Sequence, residues 1–167
     1  IDTSGKFCSV SIYLSNNIKD SIKSKIPLSH SSELAVNVKE MIDKNNILIK
    51  DLDFITVNIG PGSFTGLRIG ISFAKGLCLS NGIPLVPVNS FNIIHKKVNS
   101  REDSFYYGIY SHKDYIYGKK YDNKKENEPK LFNLTNNFNV PMYIYGLDRI
   151  DQYNNNIIDV DFDSTDL

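Results

Sequence analysis

Cysteine is scarce in this chain, and its two copies, Cys8 and Cys78, lie far apart in apolar surroundings. That excludes the dense disulfide framework of small secreted domains and reads as two small core residues in a reducing compartment. An excess of one charge is also missing. Lysine plus arginine and aspartate plus glutamate total 19 each, so no global field favours nucleic acid or acidic lipid. No apolar run approaches the roughly 20 residues of a membrane-spanning helix, and no signal peptide is expected. The first residue is Ile1 rather than methionine, which leaves room for an upstream residue or two. Cytoplasm is therefore the expected location. Histidine is sparse: His30, His95 and His112 are isolated, whereas a helix holding a metal would set two of them at i and i+4.

What is present is the composition of an ordinary globular protein, 41% hydrophobic and 23% charged over 167 residues. That length suits one large domain or two small lobes with a substantial core. Charge is spread unevenly. Arg68, Lys75, Lys96 and Lys97 are the only charged residues between Phe54 and Ser100, while the end from Asp148 holds six aspartates and only Arg149. The first stretch lacks the interleaved aromatics and multiple arginines of a nucleic-acid groove, so direct binding of nucleic acid is not expected of it.

The chain is organised around Gly60-Pro61-Gly62-Ser63-Phe64-Thr65-Gly66-Leu67-Arg68-Ile69-Gly70, which joins an apolar run, Phe54 to Ile59, to a helical pattern reaching about Leu79. Gly60 and Gly62 permit a tight turn that Pro61 stiffens, and Ser63 or Thr65 is placed to cap the helix. Strand, glycine loop and helix start together form a ready anion site. Two phosphate-binding patterns fail on spacing. Gly66 is followed by Leu67 where an NTPase loop needs Lys-Ser/Thr, and no acidic residue follows at the distance a dinucleotide fingerprint needs. A plain strand-to-helix connection is the other reading.

Within that helix Gly66, Gly70, Ala74 and Cys78 recur every four residues and share a face. Gly70 and Gly76 each cost about 1 kcal/mol relative to alanine, so something must compensate, and close approach of another element is the usual source. That element is either part of this same chain or another subunit.

In chain order, Ile1 to Thr3 reads as the end of a strand paired in a hairpin with the alternating strand Cys8 to Leu14. A third strand runs from Ile18 towards Pro27. Ser29 to Ser32 caps a helix whose stripe is Leu34, Ala35, Val38, Met41 and Ile42. After the glycine-loop helix, ended by Asn81-Gly82, come an extended edge segment from Ile83 to Val88 and a helix that Ser90 caps. A second hairpin, Phe105 to Tyr110 and Tyr115 to Tyr121, restarts the pattern. Beyond it lie a charged loop from Lys119 to Lys130, short strands at Leu131 to Leu134 and Pro141 to Tyr145, and then a short helix and loose tail. Two units that each open with a hairpin imply an internal duplication, residues 1–100 and 101–167, the second cut short.

Such a duplicated α/β unit, with mixed sheets flanked by helices, resembles the actin-like ATPase (ribonuclease H-like) fold. Ile1-Asp2-Thr3-Ser4, Cys8-Ser9-Val10, His30-Ser31-Ser32-Glu33 and above all Gly60 to Gly70 resemble the TsaB (YeaZ) family of the glycoprotease-like superfamily, over about residues 1–121. The resemblance implies a non-catalytic subunit of the bacterial machinery that places threonylcarbamoyl on adenosine 37 of tRNA. Implied partners are a TsaD-like catalytic subunit, a TsaE-like ATPase and, for the isolated chain, a second copy. No cofactor of its own is implied, and ATP acts at the level of the complex.

On this likeness Asp2, Thr3 and Ser4 are a vestigial phosphate loop, since Ser4 stands where actin-like phosphotransferases have glycine; Gly60, Gly62 and Gly66 form the glycine loop. The expected partner interface comprises His30, Leu34, Val38, Met41, Leu67, Gly70, Ile71, Ala74 and Cys78. The second hairpin departs from the family's Asp-Ala-Arg and Glu at Tyr110, His112 and Tyr115. The second lobe is shorter than usual, as in a minimal member or a fragment. The enzymatic alternative is an actin-like kinase or ATPase using Asp2 and the glycine loop. A glycoprotein endopeptidase finds no nucleophile with a base, and no metal cluster, in the sequence.

Overall fold

A computed structural model gives the architecture, and the residues described are 1–15, 17–98, 102–123, 125–148, 152–153 and 156–167. The chain divides into two compact units: Ile1–Ser90 together with Asp163–Leu167, and Phe91–Phe162. The expected boundary between residues 100 and 101 falls outside the described residues.

In the first unit the alternating residues form β1 (Ser9–Leu14), antiparallel to β2 (Asn17–Lys23), while β3 (Ile55–Gly60) runs parallel to β4 (Leu85–Asn89). Residues 1–3 join the two pairs. Asp2 exchanges backbone hydrogen bonds with Ser9 at 3.0 and 2.9 Å, and the Asn58 N–H donates to the Ile1 carbonyl at 3.2 Å. The sheet order is thus β2, β1, residues 1–3, β3, β4.

Helices α1 (His30–Asn45) and α2 (Phe64–Asn81) pack on it through their apolar stripes. Leu34, Val38, Ala74 and Cys78 share one core with Cys8, Val10, Ile55, Val57 and Ile83. Gly82 stops α2 in a left-handed conformation, φ 69°, donating its N–H to the Cys78 carbonyl. Ser63 caps α2 by accepting from the Gly66 N–H at 3.2 Å. The other two expected caps are not made. Ser29 turns its hydroxyl to the Ile26 carbonyl, and Ser90, which opens α3 (Ser90–Val98), donates to the Asn58 side chain.

The second unit repeats that order with little helix. The hairpin β5 (Ser104–His112) and β6 (Tyr115–Asp122) is extended on one side by β7 (Lys125–Glu126) and β8 (Lys130–Asn133), both antiparallel to β6. On the other side β9 (Met142–Tyr145) lies parallel to β5, and β10 (Ile157–Asp159) parallel to β9. Ile116, Leu134, Phe138, Met142, Ile144, Leu147 and Ile157 form its core.

Two expectations need correction. The charged stretch Lys119 to Lys130 is part strand, because β6 continues to Asp122 and β7 turns back on it. The end of the chain is not loose. After β10, Ser164–Asp166 forms a 3-10 turn closed by a capping box, in which Asp163 accepts from the Thr165 N–H and Asp166 accepts from the Asp163 N–H. That turn is pinned to β1 in the first unit: the Ser164 N–H donates to Ser9 Oγ at 2.9 Å, and the Ser164 and Ser11 hydroxyls meet at 2.6 Å. The short helix expected after Gly146 falls partly on Asn154 and Asn155, outside the described residues. Among the described residues no helix is long and apolar enough to cross a membrane.

Candidate docking face and a closed polar cluster

The residues named for a phosphate loop converge at one end of the first sheet. Asp2 is only 2% exposed, and its carboxylate accepts from the Ser4 N–H at 2.8 Å. Burial pushes that carboxyl above its ordinary range, and the hydrogen bonds from Ser4 hold it back. Asn58, fully buried, ties the cluster together. Its Nδ2 donates to Ser4 Oγ at 3.0 Å, and its Oδ1 accepts from the Gly60 N–H and the Ser90 hydroxyl, each at 2.8 Å.

The glycine loop lies directly on residues 2–4. The Ser63 N–H donates to the Ser4 carbonyl at 2.6 Å, and a Cβ on Gly62 would stand 2.6 Å from that same oxygen. The polar groups of the two loops therefore satisfy one another. What the arrangement does chemically is lock the turn and the start of α2. Among the described residues no group of three or more His, Cys, Asp or Glu is placed to hold a metal ion. Burial also pushes the Cys8 thiol up to about 11, which leaves it inert as a nucleophile at neutral pH.

The ridge of small residues on α2 faces inward, not towards a partner. Gly66, Gly70, Ala74 and Cys78 are buried, and a Cβ on Gly66 or Gly70 would run into the carbonyl or hydroxyl of Thr3. Thr3 Oγ1 donates to the Gly66 carbonyl at 2.8 Å. The element that comes close is this chain's own first segment. Leu34, Val38 and Met41 are buried in the same way, and His30, 3% exposed, places Nε2 3.1 Å from the Gly5 carbonyl. Gly70, Ala74, Cys78, Leu34, Val38, Met41 and His30 are thus corrected from interface to core, since a four-residue repeat marks a buried face without saying what buries it. Leu67 and Ile71 remain half-buried at its border.

The outward face of α2 is Phe64, Arg68, Ser72, Lys75 and Leu79, spaced by four, four, three and four, and all exposed. Phe64 is 68% exposed and Leu79 85%. The Arg68 guanidinium lies 3.8 Å from the Phe64 ring centroid. Helical spacing puts Phe64 and Leu79 on one face in the sequence, but only the packing of the fold shows that this face is left in water.

In the second unit the departures at the hairpin end are local. The Tyr110 hydroxyl donates to the Lys113 carbonyl at 2.9 Å, and the rings of His112 and Tyr115 stack 5.7 Å apart. A further cluster had no counterpart in the sequence reading. His95 Nδ1 lies 2.6 Å and Lys119 Nζ 2.8 Å from the two oxygens of Glu126. Burial would raise the Glu126 pKa, but Lys119, Tyr107 and His95 together outweigh it and hold it at about 2. The buried Tyr107 hydroxyl is pushed up by burial and by that carboxylate, although it makes no hydrogen bond of good geometry.

Comparison with known proteins agrees with this architecture. The family described as "TsaD: tRNA N6-adenosine threonylcarbamoyltransferase" matches residues 24–106. The tRNA threonylcarbamoyladenosine biosynthesis protein TsaB of Buchnera aphidicola subsp. Acyrthosiphon pisum is 29% identical over 127 residues, 75% of this chain and 57% of that protein. The tRNA N6-adenosine threonylcarbamoyltransferase of Thermosipho africanus is 50% identical over 60 residues, 36% of this chain and 18% of its own length. The chain spans less than two thirds of the length of these relatives. The solved structure of YeaZ from Pseudomonas aeruginosa superposes with a TM-score of 0.75 at 20% identity, over 99% of this chain and 85% of that one. That likeness and the sheet order repeated in the two units make the fold the duplicated actin-like one. By these similarities in sequence and fold the chain belongs to the TsaB (YeaZ) family.

Proposed function

We propose that the chain is a non-catalytic scaffold subunit of the cytoplasmic machinery that installs threonylcarbamoyl on adenosine 37 of tRNA. It docks a TsaD-like catalytic subunit on the outward face of α2, a TsaE-like ATPase joins the pair, and tRNA is met through the complex. The isolated chain pairs with a second copy when no TsaD-like subunit is present. It holds no cofactor of its own, and ATP acts on the complex.

The observation that carries this reading is the exposure of Phe64 and Leu79 on one stripe of a helix whose opposite side is core. Two large apolar side chains left exposed towards the two ends of one helix face support reading that face as an interaction surface. The closed cluster of Asp2, Ser4 and Asn58 supports the non-catalytic part, because its polar groups are committed to one another. Binding of the chain to a TsaD-like subunit, measured by calorimetry, tests the proposal. Leu79→Arg should abolish binding without changing the fold. Absence of binding by the unsubstituted chain would refute the scaffold. Tight binding of Mg-ATP by the lone chain that Asp2→Ala removes would favour the kinase or ATPase instead.

A further inference from the structure

We infer that the docking face is selective by charge, and that Arg68 is the residue that selects: its partner must present a carboxylate opposite the Arg68 guanidinium. The inference rests on the scaffold reading and specifies the partner of that same face.

Helix α2 carries no acidic residue from Phe64 to Asn81, and its only charged side chains, Arg68 and Lys75, both lie on the outward stripe. Among the described residues the ion pairs Lys23 with Asp163, Lys39 with Asp43 and Lys44 with Asp20 leave both out. Among the described residues Arg68 meets an aromatic face and no carboxylate. An exposed arginine with nothing to hold it samples many rotamers. Stacking on Phe64 removes much of that freedom before a partner arrives, so less is lost on binding.

The geometry also decides which chemistry fits. With Cζ 3.8 Å from the ring centroid the guanidinium is covered on one side only, and its fork of N–H donors is left to take a carboxylate through two parallel hydrogen bonds. Arg68 sits in the first turns of α2, where the helix dipole is positive and no acidic side chain offsets it. Phe64, Arg68, Lys75 and Leu79 follow one another along about 22 Å of helix, so two cationic contacts lie between two apolar ones on a single line. A second copy that faced this helix with its own α2 would set Arg68 and Lys75 against like charge, so the pair formed by the isolated chain is the weaker one. A partner with acidic residues between apolar ones meets both demands, and the same charges exclude the wrong neighbour.

The test is the affinity of the full chain for the TsaD-like subunit at about 50 mM and about 500 mM salt, where screening of exposed charge differs strongly. The unsubstituted chain should bind more weakly at high salt. Arg68→Glu should weaken binding by about tenfold or more at low salt and flatten the salt dependence. Phe64→Leu, which keeps apolar bulk but removes the ring, should weaken it by about threefold through loss of the stacking. Lys19→Glu, an equal change in net charge on the edge strand β2, should leave binding unchanged.

Binding by Arg68→Glu at the unsubstituted level would overturn the inference, as would an equal loss in Lys19→Glu. Loss of binding in Leu79→Arg alone would then leave the scaffold standing without its charge selection. No binding by the unsubstituted chain would overturn both. Circular dichroism of each variant guards against unfolding, which these exposed positions do not threaten.

Discussion

Thr3 occupies the notch left by Gly70, donating its hydroxyl to the Gly66 carbonyl one turn earlier at 2.8 Å, so the first segment of the chain lies against the bare backbone of α2. A methyl group at position 70 would run into the Thr3 hydroxyl. Gly70→Ala should therefore destabilise the protein by about 1–3 kcal/mol, because overpacking outweighs the gain in helix propensity. Thr3→Ala should cost about 1 kcal/mol for the lost hydrogen bond. The double variant should cost less than the sum, since removing the hydroxyl makes room for the new methyl. Urea unfolding of the four proteins measures this, and strict additivity would show that the two residues do not meet.

Gly76 gives the opposite result. It lies on the same helix, yet a Cβ there would meet nothing within 4 Å. No close packing offsets its cost, so Gly76→Ala should stabilise the protein by about 0.5–1 kcal/mol, by helix propensity and by restricting the unfolded chain. A fall in thermal midpoint would refute this.

The contrast between Gly70 and Gly76 shows what was legible in the sequence. Period-two and period-four patterns located β1, α1, α2 and the second hairpin, because burial of one face dictates those periods. They also located the small-residue ridge on α2. They did not say that Thr3, far away in sequence, would fill it, because which element buries a face is a tertiary choice with no local signature. Ser90 and Ser29 looked like caps by position, but each hydroxyl had a better acceptor brought near only by folding. The strand β10 and the turn Ser164–Asp166 were missed for a related reason. Acidic, asparagine-rich composition usually marks disorder, and here two aspartates cap a turn that a buried serine holds. For the docking face the exposed Phe64 and Leu79 were in view, yet exposure itself cannot be read from one sequence.

Asn58 should be the least replaceable polar residue of the first unit. It is fully buried and makes three hydrogen bonds that join β3, the residue 2–4 turn and the start of α3. Asn58→Ala would strand the Gly60 N–H and the hydroxyls of Ser4 and Ser90 and leave a small cavity. A loss of about 3–5 kcal/mol follows. Ser90→Ala removes one donor and leaves Asn58 Oδ1 bonded to Gly60, so it should cost about 1 kcal/mol. Equal losses in the two variants, measured by denaturant unfolding, would mean that Asn58 does not act as the junction.

Glu126 should make the second unit sensitive to acid. The strand that carries it, β7, has only two residues, so its side chain does much of the joining: it bridges His95 on α3 and Lys119 on β6. Its folded pKa, about 2, lies below the ordinary 4.5. A carboxylate depressed on folding stabilises the folded state above its unfolded pKa, and that contribution disappears as pH falls through the folded value. The stability difference between the unsubstituted chain and Glu126→Gln should therefore be full above about pH 5 and shrink steadily from about pH 4.5 towards pH 2. Tyr107 and Tyr121 pack edge-on against His95, and the chain contains no tryptophan, so near-ultraviolet circular dichroism follows the tyrosines, these two among the ten, and denaturant unfolding at each pH gives the stability difference. A difference that stayed constant between pH 6 and pH 3 would assign the effect of the substitution to shape rather than to the charge that His95 and Lys119 hold in place.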